Sequence, residues 1–317
     1  MILAGDVGGT HTRLAFFKKG KLVGAERKFP SRSYPNLEAI VQEFLASENH
    51  VPKRACFGIA GPVREGVCKA TNLPWIVDAE HLGHQLKIAH VHLLNDLEAN
   101  AYGIRALQPD SFSFIQHGVP HQRGNQALIS AGTGLGEACL YWDGNSHRPF
   151  ACEGGHVDFA PRNEEEFALF LYLKERFPHV SYERVVSGPG LQSIYAFLVE
   201  TNRKPPAPLT NPDAQTIAEW GRGNQDPTCA YALDWFISLY GAAAGNLALK
   251  FLALGGCYLG GGIVPHLVDR MRSGGFINSF CDKGRFRDLL ASIPIWVILN
   301  DNTALLGAAL FGEQHEH

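Results

Sequence analysis

Apolar residues in this chain gather into short runs that end in glycine, and two stretches share one layout. Residues 2–6 are almost continuously apolar, Val7-Gly8-Gly9-Thr10 supplies turn residues, and Leu14, Ala15, Phe16 and Phe17 resume the pattern. That sequence of runs predicts a β-hairpin. Residues 127–131 are apolar again, Gly132-Thr133-Gly134-Leu135-Gly136 turns, and residues 138–142 return, which predicts a second hairpin of the same kind. Two related halves are implied.

The remaining periodicities fill in the halves. Leu37, Ile40, Val41, Phe44 and Leu45 fall on one face of a helix from about Asn36, whose side chain can cap it. Strands are expected near residues 55–60 and 91–94. A second helix opens at Asn163 with Glu164, Glu165 and Glu166 in its first turn, where negative charge suits the helix dipole. After the proline-rich stretch 204–212 the chain reads as helical. Residues 233–254 form its most apolar segment, but Asp234, Ser238, Asn246 and Lys250 interrupt it, so a buried helix fits better than a membrane span. Strands follow at 257–259 and 295–299, and a last helix at 302–311 should pack back on the first half. The expected architecture is α/β with two domains, one formed by residues 1–106 plus 300–317 and the other by 107–299.

Composition narrows the class without changing that picture. A length of 317 residues suffices for two cores, and 28 basic against 31 acidic residues leave no general attraction to nucleic acid or an anionic membrane. The seven cysteines are widely spaced and include no C-x-x-C, so they read as reduced thiols rather than a disulfide framework or zinc site. With no basic apolar leader at Met1, the expected location is the cytoplasm.

The candidate chemistry lies at the ends of the predicted strands. Asp96 follows Leu94-Asn95 directly at a strand's carboxyl end, where an open α/β sheet collects ligands and where a carboxylate can take a proton from a substrate hydroxyl. Capping of the next helix is its bland alternative. In Asp6-Val7-Gly8-Gly9-Thr10, backbone N–H groups of Gly8 and Gly9 can approach phosphate, Thr10 can donate its hydroxyl, and Asp6 can hold Mg²⁺ through water. A plain hairpin would look similar, yet the second glycine turn at Gly132, Thr133 and Gly134 suggests that both grip one nucleotide. No Gly-Lys-Ser/Thr occurs, and a strand follows Gly136, so neither a Walker loop nor a dinucleotide fingerprint fits. Gly261 and Gly262 lie in a glycine run that could admit a purine or ribose, or serve close packing. Glu153-Gly154-Gly155-His156 sets a carboxylate and an imidazole three apart on a loop, suited to vicinal sugar hydroxyls. A metal is the rival, but the glycines argue against a helix-borne Glu-x-x-His site. Glu183 could add a hydroxyl acceptor, and Asn72 is a weaker candidate. The histidines at 81, 84, 90, 92, 117 and 121 read as surface residues. These features together describe a sugar kinase.

With those residues in place, the chain resembles the bacterial ATP-dependent glucokinases of the proteobacterial type. The resemblance rests on residues 5–10, 94–96, 131–136, 153–161, 183–190 and 260–265, in that order. It implies the actin-like ATPase (ribonuclease H-like) fold of hexokinases, duplicated, with a small and a larger α/β domain, an active-site cleft between them, and a homodimer. Carried over, Asp96 is the catalytic base that activates the glucose 6-hydroxyl toward the γ-phosphoryl of ATP. Asn95, Glu153, His156 and Glu183 contact glucose, while Asp6, Gly8, Thr10 and Thr133 lie on the phosphate side. The related repressor and kinase family carries a cysteine-rich zinc motif after its Glu-x-Gly-His. None follows His156, so no zinc is expected. His11 and Leu97 depart from the usual pattern. A kinase for another hexose or an N-acetylated amino sugar, and a non-catalytic sugar-responsive regulator, are the competing readings; the regulator would need a basic DNA-binding segment ahead of the first strand.

Overall fold

The computed structural model describes residues 1–48, 52–119, 121, 123–205, 208 and 211–315. These residues form two compact units: 1–109 with 149–151 and 300–317, and 110–148 with 152–299.

The first unit is built on a sheet whose strands run Lys21–Pro30, His11–Lys18, Ile2–Val7, Arg54–Ile59 and His90–Asn95 in spatial order. The first three strands are antiparallel neighbours, and the last three run parallel. Side chains alternate between the faces, so Leu3, Val7, Leu14 and Phe16 enter one core while Ile2, Ala4, Ala15 and Phe17 enter another. Burial on both faces explains why residues 2–5 read as apolar without alternation. One face is covered by helices Leu37–Ala46 and Ala79–Leu86, the other by Asp96–Ile104 and Thr303–Gln314. The last two meet through glycines: a Cβ on Gly307 would overlap the Ala99 carbonyl, and one on Gly103 the Thr303 carbonyl.

In the second unit the hairpin of Gln126–Ala131 and Leu135–Trp142 leads into parallel strands Gly256–Gly260 and Ile295–Ile298, with Phe112–Gln116 antiparallel at the edge. The hairpin and two parallel strands repeat the order of the first sheet, as the paired glycine turns imply. The apolar stretch near residue 240 is helix Pro227–Phe251, which is buried along most of its length. Among the described residues no helix is long and apolar enough to cross a membrane.

Beyond Gly262 the chain makes a 3₁₀ turn, Val264–His266, and then a short helix, Val268–Arg272. One expectation changes. His92 is not simply a surface residue. Its ring stands edge-on to Phe311 at 5.6 Å, and its Nε2 is buried without a hydrogen-bond partner among the described residues. Burial, with His315 and His90 nearby, lowers its pKa. The folded state therefore holds His92 neutral, and its protonation on acidification opposes folding. His92→Phe keeps the ring contact and removes the orphaned nitrogen. It should stabilise the protein at pH 5.5 and by less at pH 8, where loss of the ring's hydrogen bond to the His315 backbone offsets removal of the orphaned nitrogen. Urea unfolding at both pH values checks this, and an equal or larger gain at pH 8 would contradict it.

Candidate active site

Sheet register aligns the candidate residues of the first unit. Val7, Ile59 and Asn95 occupy one row across the three parallel strands, so Gly8 and Asp96 emerge at the same carboxyl edge. Gly58 permits this, since a Cβ there would lie 2.8 Å from the Ala99 Cβ. Gly9 packs on Asn72, whose Cβ is 2.6 Å from where a Gly9 Cβ would stand, which brings Asn72 to the glycine turn. The turn is held from behind by Ser31, a residue with no motif to reveal it. The Ser31 hydroxyl donates to the Gly8 carbonyl at 2.8 Å, and its N–H donates to the Thr10 carbonyl at 3.0 Å.

Asn95 and Asp96 divide their work. Asn95 is the N-cap: its Oδ1 accepts from the N–H groups of Leu97 (2.9 Å) and Glu98 (3.3 Å), while its Nδ2 donates to the Gly61 carbonyl at 3.1 Å. Asp96 is the first residue of helix Asp96–Ile104, half-buried. Capping therefore falls to Asn95, and the Asp96 carboxylate is not needed for it.

Asp6 is also half-buried. Burial is the main cause that raises its pKa to about 6, with Arg13 opposing and Glu26 assisting the shift. Arg13 is itself engaged by the Asp301 carbonyl at 2.6 Å and Asn302 Oδ1 at 2.8 Å. A poorly compensated carboxylate of this kind suits a hydrated Mg²⁺, which keeps most of its waters and needs few protein ligands. Among the described residues no cluster of three or more His, Cys, Asp or Glu could hold a metal by side chains alone.

In the second unit one carboxylate joins two motifs. Glu183 Oε2 accepts from the Leu135 N–H at 3.0 Å and lies 4.0 Å from His156 Nε2. A Cβ on Gly134 would stand 2.5 Å from the same oxygen, so the glycine clears its path. Glu153 and His156 are exposed at either end of the 3₁₀ turn Gly154–His156. His179 fixes the far end by donating from Nε2 to the His156 carbonyl at 2.9 Å. Gly188 N–H donates to the Gly132 carbonyl at 2.8 Å, which seats helix Gly188–Glu200 against the glycine turn.

A cavity of about 610 Å³ opens beside that turn. Gly132, Thr133 and Gly262 line it, together with Gln192, Asp213 and Arg222, which carried no motif. Gly262 faces open space, whereas Gly261, at φ +92°, is required because a Cβ would meet the Ala131 carbonyl. The glycine run thus serves both cavity and packing. A separate hollow of 710 Å³ in the first unit, lined by residues such as Glu80, His84 and His90, holds none of the candidate residues.

The family model described as Glucokinase matches residues 3–315. The chain belongs to the glucokinase family. Membership makes it an ATP-dependent hexose kinase with the actin-like ATPase fold. It is 42% identical to a glucokinase of Nostoc punctiforme, with 98% of each chain covered. A solved glucokinase from an Antarctic psychrotroph superposes with a TM-score of 0.85 at 31% identity, covering 99% of both chains. A ROK family glucokinase from Streptomyces griseus, solved with glucose and AMPPNP, reaches a TM-score of 0.68 at 20% identity over 99% of both, a likeness of fold.

Because its folded pKa of about 6 exceeds the ordinary 3.8, ionised Asp6 opposes folding. That penalty is absent below about pH 4, grows as pH rises toward 6, and is complete above it. Asp6→Asn should therefore stabilise the ligand-free protein by about 1–2 kcal/mol at pH 8 and by nothing measurable at pH 4. Thermal melts across that range decide the matter; a gain independent of pH would be contrary.

Proposed function

We propose that this chain transfers the γ-phosphoryl group of ATP to the 6-hydroxyl of glucose, with Asp96 as the base. The observation that carries the assignment of the base is position: Asp96 follows Asn95 at the carboxyl edge of the sheet, in the same row as the start of the Gly8 turn, while Asn95 serves as the N-cap. Phosphoryl transfer depends on positioning and charge stabilisation more than on covalent help. Asp96 takes the hydroxyl proton as the oxygen attacks phosphorus. Glu153, His156 and Glu183 hold ring hydroxyls, with Asn95 and Asn72 at the edge of the sugar, and so select which hydroxyl reacts.

On the donor side, the N–H groups of Gly8 and Gly132 close their own turns on the His11 and Gly134 carbonyls at 3.0 and 2.9 Å, which leaves the N–H groups of Gly9 and Gly134 and the hydroxyls of Thr10 and Thr133 to receive phosphate oxygens. The cavity lined by Gly262, Gln192 and Arg222 suits the nucleoside. Mg²⁺, when bound through water to Asp6, supplies charge neutralisation at the phosphates. Glucose and AMPPNP bound to the Streptomyces griseus protein support this choice of substrates. The chain acts as a cytoplasmic homodimer in this reading. Exposed Phe167 and Leu171 on helix Glu164–Lys174 favour a second copy as partner.

A coupled assay tests the whole. Glucose with Mg-ATP should turn over faster than fructose, mannose or N-acetylglucosamine, and a faster rate on any of these would move the assignment to another sugar. Asp96→Asn should lower kcat by roughly 10² to 10⁴ while leaving the glucose KM within a few-fold. A folded variant with near-normal kcat would exclude Asp96 as the base.

A further inference from the structure

Beneath the Gly154–His156 turn lies a carboxylate that no motif announces. Glu137 sits on strand Leu135–Trp142 and is only 5% exposed. Its Oε2 abuts Gly154 so closely that any Cβ there would overlap it. The next residue, Gly155, is equally constrained, because its Cβ would overlap the Leu135 carbonyl. The turn that carries Glu153 and His156 therefore rests on alternate residues of a single strand, with Leu135 under Gly155 and Glu137 under Gly154. Cys152 completes the floor. Its thiol is lowered to about 7, chiefly by the neighbouring Cys139 thiol and less by the Gly154 N–H.

We propose that Glu137 is a positioning residue for sugar recognition, holding the Gly154–His156 turn so that Glu153 and His156 present correctly to the ring. This rests on the reading that those two residues bind glucose. The charged and titratable groups that face Glu137 are Cys152, Lys250, Cys139, Tyr240 and Cys257. Lys250 favours the carboxylate, but burial and Cys152 disfavour it more, and Glu137 is pushed up to about 7. The closed turn therefore accommodates the protonated acid. As pH rises through about 7 the carboxyl ionises in a setting that solvates it poorly, and the Gly154 turn must loosen to admit water.

Glucose affinity and the glucose KM, measured from pH 6 to 8.5 on wild type, Glu137→Gln, Glu137→Ala and Glu153→Gln, test the proposal. Glutamine matches the protonated acid in shape and charge. Glu137→Gln should keep the low-pH affinity and weaken with pH by roughly three- to tenfold less than wild type, since about one unit of pKa linkage is then removed. Cys152, lowered to about 7, also titrates in this window in both proteins, so the difference between their profiles is the readout. Glu137→Ala leaves a gap under Gly154 and should raise the glucose KM at every pH, with kcat and the ATP KM little changed. If Glu137→Ala does not fold, the Glu137→Gln profile decides alone. A Glu137→Gln profile parallel to wild type overturns the proposal. Should Glu153→Gln raise the glucose KM strongly while that profile stays parallel, only the role of Glu137 fails. An unchanged KM in Glu153→Gln removes the sugar-binding reading and this proposal with it.

Discussion

The hydrogen bond from the Leu135 N–H to Glu183 Oε2 is the constraint around which the second unit's site is arranged. Residues 132–136 form the turn suited to phosphate, and Glu183 belongs to the segment suited to sugar, so a single 3.0 Å bond fixes both in one frame. Three neighbouring features depend on it. Gly134 has no side chain because the carboxylate occupies that space, His156 stands 4.0 Å from the same oxygen, and the Glu183 carbonyl anchors the Ser187 hydroxyl that caps helix Gly188–Glu200. That helix in turn donates to Gly132. A hydrogen bond to a charged acceptor contributes about 1.5–3 kcal/mol, enough to hold a carboxylate in one rotamer.

Burial sets the electrostatics of both units. Asp6 and Glu137 are raised by desolvation to about 6 and about 7, one beside a glycine turn and the other beneath the Gly154–His156 turn. Neither shift arises mainly from a like charge. Each carboxylate is instead placed where the protein solvates it poorly, and each is the kind of group whose charge a ligand or a proton can settle.

Much of this was legible in the sequence, for definite physical reasons. Both hairpins announced themselves because glycine turns separated apolar runs buried on two faces, and Asn36 and Asn163 marked helix starts that the structure caps with those side chains at 3.0 and 2.9 Å. The returning strand Lys21–Pro30 was not legible because its residues are mostly exposed and its apolar and polar positions do not alternate. Ser31 and Glu137 escaped for a different reason. Each supports a motif from outside, and an isolated serine or glutamate reads as surface until the fold shows what rests on it. The one available hint for Glu137 was its inward register between Leu135 and Cys139 on an otherwise apolar strand. At residues 95 and 96 the sequence allowed either side chain to cap the helix; only the hydrogen bonds assign that task to Asn95.

The central claim, that the phosphate turn and the sugar carboxylate share one frame through residues 134–135 and 183, has a direct test in glucose binding measured calorimetrically on Gly134→Ala with no nucleotide present. The added methyl meets only the flexible end of Glu183, so the fold should persist while the carboxylate is displaced. The account predicts about a tenfold loss of glucose affinity, equivalent to roughly 1.4 kcal/mol, although residue 134 is assigned to phosphate and not to sugar. Unchanged glucose affinity in a well-folded Gly134→Ala protein would contradict it.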